Sequence, residues 1–265
     1  MKGFKCLRTC TFVFLGLFFT LSLAHPVLAE ETSPDSWKFS GGLYAWTPSV
    51  KGETALGTDI DVSFSDIIDN LDIVLMGMMT ARKDKFSLLV DVIYMDIEDD
   101  SDYSLFSGPL NQVSLSLTNV EMEAWVVTPA AAYTVVDSDR LQLDLLAGAR
   151  YLYIETGIKL REQGPLTTRE TSPSESNHVW DGIIGARGNI SLNEQWALPF
   201  HFDVGTGDTD LTWQAFGGAG YKFNNMDIVA GYRHLEWDFD DSDTGGNLFN
   251  DLYISGPVVG LRYHF

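Results

Sequence analysis

The sequence predicts an all-β chain, an antiparallel transmembrane barrel of about ten strands, on three observations. The first is alternation. Within residues 252–265, Tyr253, Ser255, Pro257, Val259, Leu261, Tyr263 and Phe265 fall on one face, and Arg262 and His264 on the other, as a pleat of period two requires. An apolar outside and a polar inside suit a strand between lipid and lumen. The second is aromatic spacing. On outward faces Trp213 precedes Phe223, and Tyr253 precedes Tyr263, by ten residues; at ~3.3 Å each and a tilt of ~40° these climb roughly 25 Å, the height of a lipid-facing band. The third is the connections, in which four short turns alternate with longer or more acidic loops, as when one end faces the periplasm and the other the outside.

The chain begins with Lys2, Lys5 and Arg8, an apolar run over 11–23, and small residues before Glu30. This pattern reads as a secretory signal peptide over residues 1–29, and its apolar run is shorter than the ~20 residues a spanning helix needs. Residues 30–265 then form one barrel domain. Both cysteines, Cys6 and Cys10, lie in the leader, so the remaining chain offers no disulfide, iron–sulfur or thiolate–zinc chemistry. Without the leader, 14 of the 17 Lys and Arg remain against all 37 Asp and Glu, a balance of about −23 that argues against a nucleic-acid partner. No later apolar run is long enough for a spanning helix, which excludes a helical membrane protein but not a barrel.

In order, residues 37–50 open the barrel, with Trp37, Phe39, Gly41, Leu43 and Ala45 alternating against Lys38, Ser40, Gly42 and Tyr44. Residues 71–83 and 86–97 form a hairpin around Asp84, with Phe86, Leu88, Val90, Val92 and Tyr94 outward and Asp91 inward. Residues 115–136 and 141–160 meet at Asp137, Ser138 and Asp139, whose side chains favour a turn. Residues 179–192 and 196–206 meet at Asn193 and Glu194. Residues 211–223 and 226–239 meet at Asn224 and Asn225, where Asn tolerates positive φ. Residues 252–265 close the barrel. Because 115–136 is long and 58–64 could pair as a further arm, eight and twelve strands stay open. Trp37, Phe86, Trp196, Phe223 and Phe265 are expected in the periplasmic girdle, and Tyr94, Tyr153, Trp180, Trp213 and Tyr253 in the outer one. One strand changes phase: after Arg233 the apolar residues Leu235, Trp237 and Phe239 oppose His234, Glu236 and Asp238. Either a β-bulge near Arg233 or emergence from the membrane accounts for that.

The terminal Phe265, with Tyr263 and Leu261 before it, resembles the C-terminal insertion signal of bacterial outer-membrane β-barrels. Three further stretches, Gly42-Leu43-Tyr44-Ala45-Trp46-Thr47-Pro48, Phe64-Ser65-Asp66-Ile67-Ile68-Asp69-Asn70-Leu71-Asp72 and Asp203-Val204-Gly205-Thr206-Gly207-Asp208 with Leu211-Thr212-Trp213-Gln214, resemble a widespread group of uncharacterised bacterial outer-membrane barrel proteins. The resemblance implies a barrel in the outer membrane of a Gram-negative bacterium, with outer-membrane lipid and lipopolysaccharide around it. It also implies periplasmic chaperones and the barrel-insertion machinery as partners during biogenesis. It carries no activity.

Strand parity sends Lys38, Arg82, Asp91, Glu121, Glu123, Asp144, Arg150, Asp181, Arg187, His201, Asp203, Lys222, Arg233, Arg262 and His264 to the lumen. Two readings follow. A web of ion pairs fills a narrow barrel, since charges away from bulk water must be paired. Alternatively, an Arg ladder guides anions through a pore in which inward Gly148, Gly185, Gly218, Gly231 and Gly260 leave room. About ten strands enclose little more than their own side chains, which favours the web. Phe64, Ile67, Ile68 and Leu71 follow helical spacing behind Ser63 or Ser65, so a short helix is expected in the first long loop, as a constriction in the mouth or a lid on the rim. Asp96, Glu98, Asp99, Asp100 and Asp102, and Asp238, Asp240, Asp241 and Asp243, form acidic loops whose spacing does not complete an EF-hand. They read as solvated loops or, alternatively, as weakly bridged by the divalent cations of a lipopolysaccharide surface, and no dedicated metal site and no cofactor is expected.

His201 and Asp203, with Asp208 and Asp210 at the outer end of their strand, faintly resemble the His and Asp residues at the mouth of ten-stranded outer-membrane proteases. The other motifs of that family are missing, and no catalytic role is carried across. His234 with Glu236 lacks the His-x-Ser arrangement of a lipid-modifying barrel. The leading expectation is a barrel without catalysis, structural or passing small solutes through a restricted lumen. The alternatives are a surface-interaction protein using its acidic loops and a hydrolase with a site at the barrel mouth.

Overall fold

The computed structural model describes residues 36–54, 59–62, 71–99, 103–107, 114–163, 168–171, 174–239 and 249–265. Fourteen strands are described: β1 (Lys38–Trp46), β2 (Ser49–Thr54), β3 (Asp59–Val62), β4 (Leu71–Lys83), β5 (Phe86–Asp99), β6 (Tyr103–Ser107), β7 (Ser114–Asp137), β8 (Leu141–Gln163), β9 (Thr168–Thr171), β10 (Ser174–Ser191), β11 (Trp196–Gly207), β12 (Leu211–Phe223), β13 (Met226–Asp238) and β14 (Phe249–His264). All described pairings are antiparallel, and ten of the strands run around the barrel in the order β1-β4-β5-β7-β8-β10-β11-β12-β13-β14. Closure comes from β1 against β14, Ser40 opposite His264 through Trp46 opposite Val258. Ten staves, and neither eight nor twelve, therefore form the barrel. Closure leaves no free edge, which is the condition for exposing a sheet to lipid.

The four remaining strands lie beyond the staves. β2 continues the line of β1 along β14, pairing Ser49 with Ser255 after the break at Thr47 and Pro48. Pro48 has no N–H to donate, so the ladder is interrupted there. β3 folds back on β2, β6 on β7, and β9 on β8. Residues 59–62, expected as a further arm, thus extend the sheet at one end rather than adding a stave. Phe64, Ile67 and Ile68 lie outside the described residues. Leu71 opens β4 and is strand, not helix: the apolar spacing at 71 belongs to the stave.

Turn chemistry agrees with the sequence. Asp84 and Asn224, the first residues of the two-residue turns joining β4 to β5 and β12 to β13, have φ of 53° and 54°, a conformation that Asp and Asn tolerate best among residues with a side chain. Both termini of the barrel chain and all four short turns share one end, the periplasmic end of a barrel in an outer membrane.

The outside is apolar. Phe39, Leu43, Met79, Leu88, Leu145, Ile184, Phe202, Val259 and Leu261 stand exposed around the wall. Trp37, Phe86, Trp196, Phe223 and Phe265 stand exposed near the short-turn end. Farther up, aromatic rings pack along the outer wall: Tyr94 on Trp125 at 4.3 Å between centroids, Tyr151 on Trp180 at 4.7 Å, and Trp213 on His234 at 4.4 Å. Trp125 belongs to this outer girdle, and the inward face of β7 is Ala124, Val126, Thr128, Ala130, Ala132 and Thr134.

The inside is divided. Toward the long connections it is filled by a dry cluster that includes Trp46, Met76, Ile93, Met95, Val126, Leu152, Ile154, Val179, Leu235, Trp237, Leu252 and Ile254. Leu235 and Trp237 are 0% exposed. β13 pairs without interruption with β12 and β14 on either side of Arg233, so no bulge causes its change of phase. Its upper inward positions face other apolar side chains instead of water, while His234 and Glu236 stay on the outer wall.

Candidate functional site

Beneath the apolar cluster, two arginines organise the middle of the lumen. Arg150 of β8 is fully buried. Its Nη2 donates to Asp203 Oδ1 at 2.6 Å and its Nη1 to Thr212 Oγ1 at 2.9 Å, while His201 Nε2 lies 2.6 Å from Asp203 Oδ2. Arg233 of β13 donates through Nη2 to Asp91 Oδ2 and Gln214 Oε1, both at 2.6 Å, and through Nη1 to the Tyr44 hydroxyl at 2.8 Å. Tyr44 in turn donates to Asp91 Oδ1 at 2.7 Å. The Arg233 guanidinium also sits 5.1 Å from the Trp46 ring centroid, so its upper face meets an aromatic π-system where the dry cluster begins. Charges so deep persist because each carries an opposite charge and further hydrogen bonds.

A third node lies nearer the short turns. Asp144 Oδ1 accepts from Thr134 Oγ1 at 2.7 Å, and Oδ2 from Arg187 Nε at 3.3 Å. Arg82 reaches the same Thr134 hydroxyl through Nη2 at 2.8 Å. Below it the lumen widens into a cavity of about 440 Å³ whose walls include Lys38, Arg82, Asp144, Arg187, Lys222, Asp227, Arg262 and His264. Lys38 and Lys222 are exposed, and His264, 2.8 Å from Asp227 Oδ2, is 46% exposed, so the cavity opens at the short-turn end. Its floor is the Arg233–Asp91–Tyr44 node, and above that floor stands the apolar cluster.

The inward glycines do not open a pore. A Cβ at Gly231 would meet the Phe216 ring at 2.7 Å, and one at Gly260 would meet Tyr44 Cβ at 2.8 Å. The room these glycines make is taken by aromatic side chains, which is one use of Gly in a strand.

Of the residues parity assigned inward, Lys38, Arg82, Asp91, Asp144, Arg187, His201, Lys222, Arg233, Arg262 and His264 line this cavity. Arg150, Asp203 and Asp181 are buried above it, Asp181 accepting from the Thr209 N–H at 3.0 Å. Glu123 is a correction. It shares the outer face with Trp125, whose Nε1 donates to Glu123 Oε1 at 2.9 Å. β7 is apolar on both faces near Trp125, so alternation there has no contrast, and only the neighbouring staves fix which side is in. The side chain of Glu121 lies outside the described part. Sequence reasoning passed over Tyr44, Asp227, Gln214, Thr134 and Thr212. Parity alone places Tyr44 and Asp227 with the lumen residues, and their neutral or isolated character hid them.

Asp208 and Asp210 do not complete a site with His201 and Asp203. Asp208 Oδ2 accepts from the Trp180 N–H at 2.8 Å at the rim, whereas Asp203 is held within the lumen by Arg150. His234 is held on the outer wall between Trp213 and Tyr253, 2.9 Å from Glu236. Among the described residues no group of three or more His, Cys, Asp or Glu is arranged to hold a metal ion.

No family model and no curated protein matches this chain. Among solved structures, it superposes on the outer membrane protease OmpT from Escherichia coli with a TM-score of 0.53 at 10% identity, covering 91% of this chain and all of that one. The fold is that of an outer-membrane β-barrel. The translocator domain of the autotransporter NalP from Neisseria meningitidis aligns over 97% of this chain at 13% identity with a TM-score of 0.46, and the Yersinia pestis attachment invasion locus protein Ail over 87% at 8% with 0.35. At such identities the likeness concerns the barrel and leaves its function to the residues inside.

Proposed function

We propose that this chain is an integral outer-membrane barrel without catalysis, sealed against the outside and open to the periplasm as a blind vestibule. The observation that carries the reading is the position of the dry cluster. Trp237 and Leu235, with Trp46, Met95, Leu152 and Ile254 from other staves, pack across the outer half of the lumen. Ions do not cross such a layer, because a charge stripped of water and given no partner is too costly. The lumen charges below it then serve as a structural web, favouring the structural reading over the small-solute channel. Leu261, Tyr263 and Phe265, exposed on the outer wall, suit recognition by insertion machinery, and the outer wall as a whole suits lipid and lipopolysaccharide. The test is reconstitution into planar bilayers. The wild-type barrel is expected to give no steady current; steady, ion-selective conductance would overturn the reading.

A further inference from the structure

The vestibule carries a charge pattern that a purely structural web does not need. Five cations, Lys38, Arg82, Arg187, Lys222 and Arg262, line it below the Arg233 node, against two carboxylates, Asp144 and Asp227. This excess of positive charge occurs in a chain whose formal net charge is −20, so composition does not explain it. The register sharpens the point. Lys38 lies directly opposite Arg82 on the neighbouring stave, and like charges in that relation destabilise a sheet. Arg187 lies within electrostatic reach of both Arg82 and Arg262.

Two carboxylates answer part of this group, Asp144 opposite Arg187 and Asp227 between Lys222 and Arg262 in the register, and three cations remain in excess. Asp144 is taken by Arg187, Thr134 and Gln142, and Asp227 by His264. Among the described residues no side-chain hydrogen bond and no ion pair within 4 Å engages the side chains of Lys38, Lys222 or Arg262. Cations held by separate staves around one cavity converge on whatever enters it, and closed walls focus their field toward the mouth.

We infer that the vestibule is a binding site for a compact polyanion, a small molecule carrying phosphate or clustered carboxylates, taken from the periplasmic side. The volume, about 440 Å³, is that of a small-molecule site and too small for a folded partner. Arg82, Arg187 and Arg262 offer forked donors to oxyanions, and Lys38 and Lys222 act as point charges at the entrance. The ligand enters and leaves by the same mouth, so this inference rests on the sealed-barrel reading.

The test is calorimetric titration of the intact barrel, in uncharged detergent, with inorganic pyrophosphate. Saturable binding of one pyrophosphate per barrel is expected, weakening as salt is raised from about 50 to 200 mM. The pair Lys38→Gln with Arg262→Gln should weaken it at least tenfold, and Lys38→Arg with Arg262→Lys by less than about threefold. Altered gel mobility on heating checks that each variant is folded. No saturable heat up to millimolar pyrophosphate, or binding that ignores the charge-removing pair, would overturn the site. Bilayer recording of the same preparation separates the two proposals: silence without binding removes the anion site and keeps the seal, and conductance with binding removes the seal and with it the single-mouth route of the ligand.

Discussion

Replacing Arg150 by Met isolates the energetic weight of the lumen web. Arg150 and Asp203 are both 0% exposed and 2.6 Å apart. Deleting the guanidinium leaves Asp203 buried with only His201 beside it, and removes one donor from Thr212. Breaking one side of a buried pair costs about 3–5 kcal/mol; at ~1.4 kcal/mol per tenfold, a loss of about 4 kcal/mol shifts the folding equilibrium roughly a thousandfold. Removing both charges with Arg150→Met and Asp203→Leu should recover at least ~2 kcal/mol of that loss, a coupling read from a double-mutant cycle. Reversible urea unfolding in phospholipid vesicles, followed by tryptophan fluorescence, measures each variant. A single Arg150→Met change costing under ~1 kcal/mol, or two single changes that simply add, would refute the reasoning.

Three further outcomes follow from the same geometry. Trp237→Ala with Leu235→Ala thins the dry cluster, so planar bilayers should show step currents absent from the parent, and each change should cost about 3–5 and 2–5 kcal/mol respectively. Glu123→Ala lies on the outer wall and loses one hydrogen bond from Trp125; urea unfolding should register no more than ~1 kcal/mol, whereas a loss of several would return Glu123 to the lumen. Removing residues 64–70, which leaves β4 whole, should leave conductance unchanged, because the seal is built from stave residues; a rise would make that segment the constriction.

Much of the barrel was legible because lipid and turns impose strict rules. The bounds of β4 and β12 follow from alternation and the flanking Asp84 and Asn224 turns, and Phe39, Leu43, Val259 and Leu261 had to face outward. Legibility fails where the physical contrast between the two faces vanishes. In β7, Ala124, Val126, Ala130 and Ala132 face in while Trp125, Val127 and Tyr133 face out, so apolar residues occupy both faces and Glu123 was a misleading marker of the inside. In β13, Leu235 and Trp237 broke the apolar-out rule because the upper lumen is dry. That dryness is a property of fifteen residues from most of the staves meeting in space, and no single strand contains it. The vestibule is similarly non-local: Lys38 and Arg82 are remote in sequence, and only the register between β1 and β4 sets them side by side.

The central claim, a lumen reachable only from the short-turn end, is tested most directly by thiol labelling. A chain starting at Glu30 contains no cysteine, so single replacements report alone. Ser40→Cys lines the vestibule, and Ile254→Cys lies in the dry cluster. With a charged, membrane-impermeant maleimide applied to oriented vesicles, Ser40→Cys should react from the periplasmic face only, and Ile254→Cys from neither face. Rapid labelling of Ile254→Cys, or of Ser40→Cys from the outer face, would contradict the account.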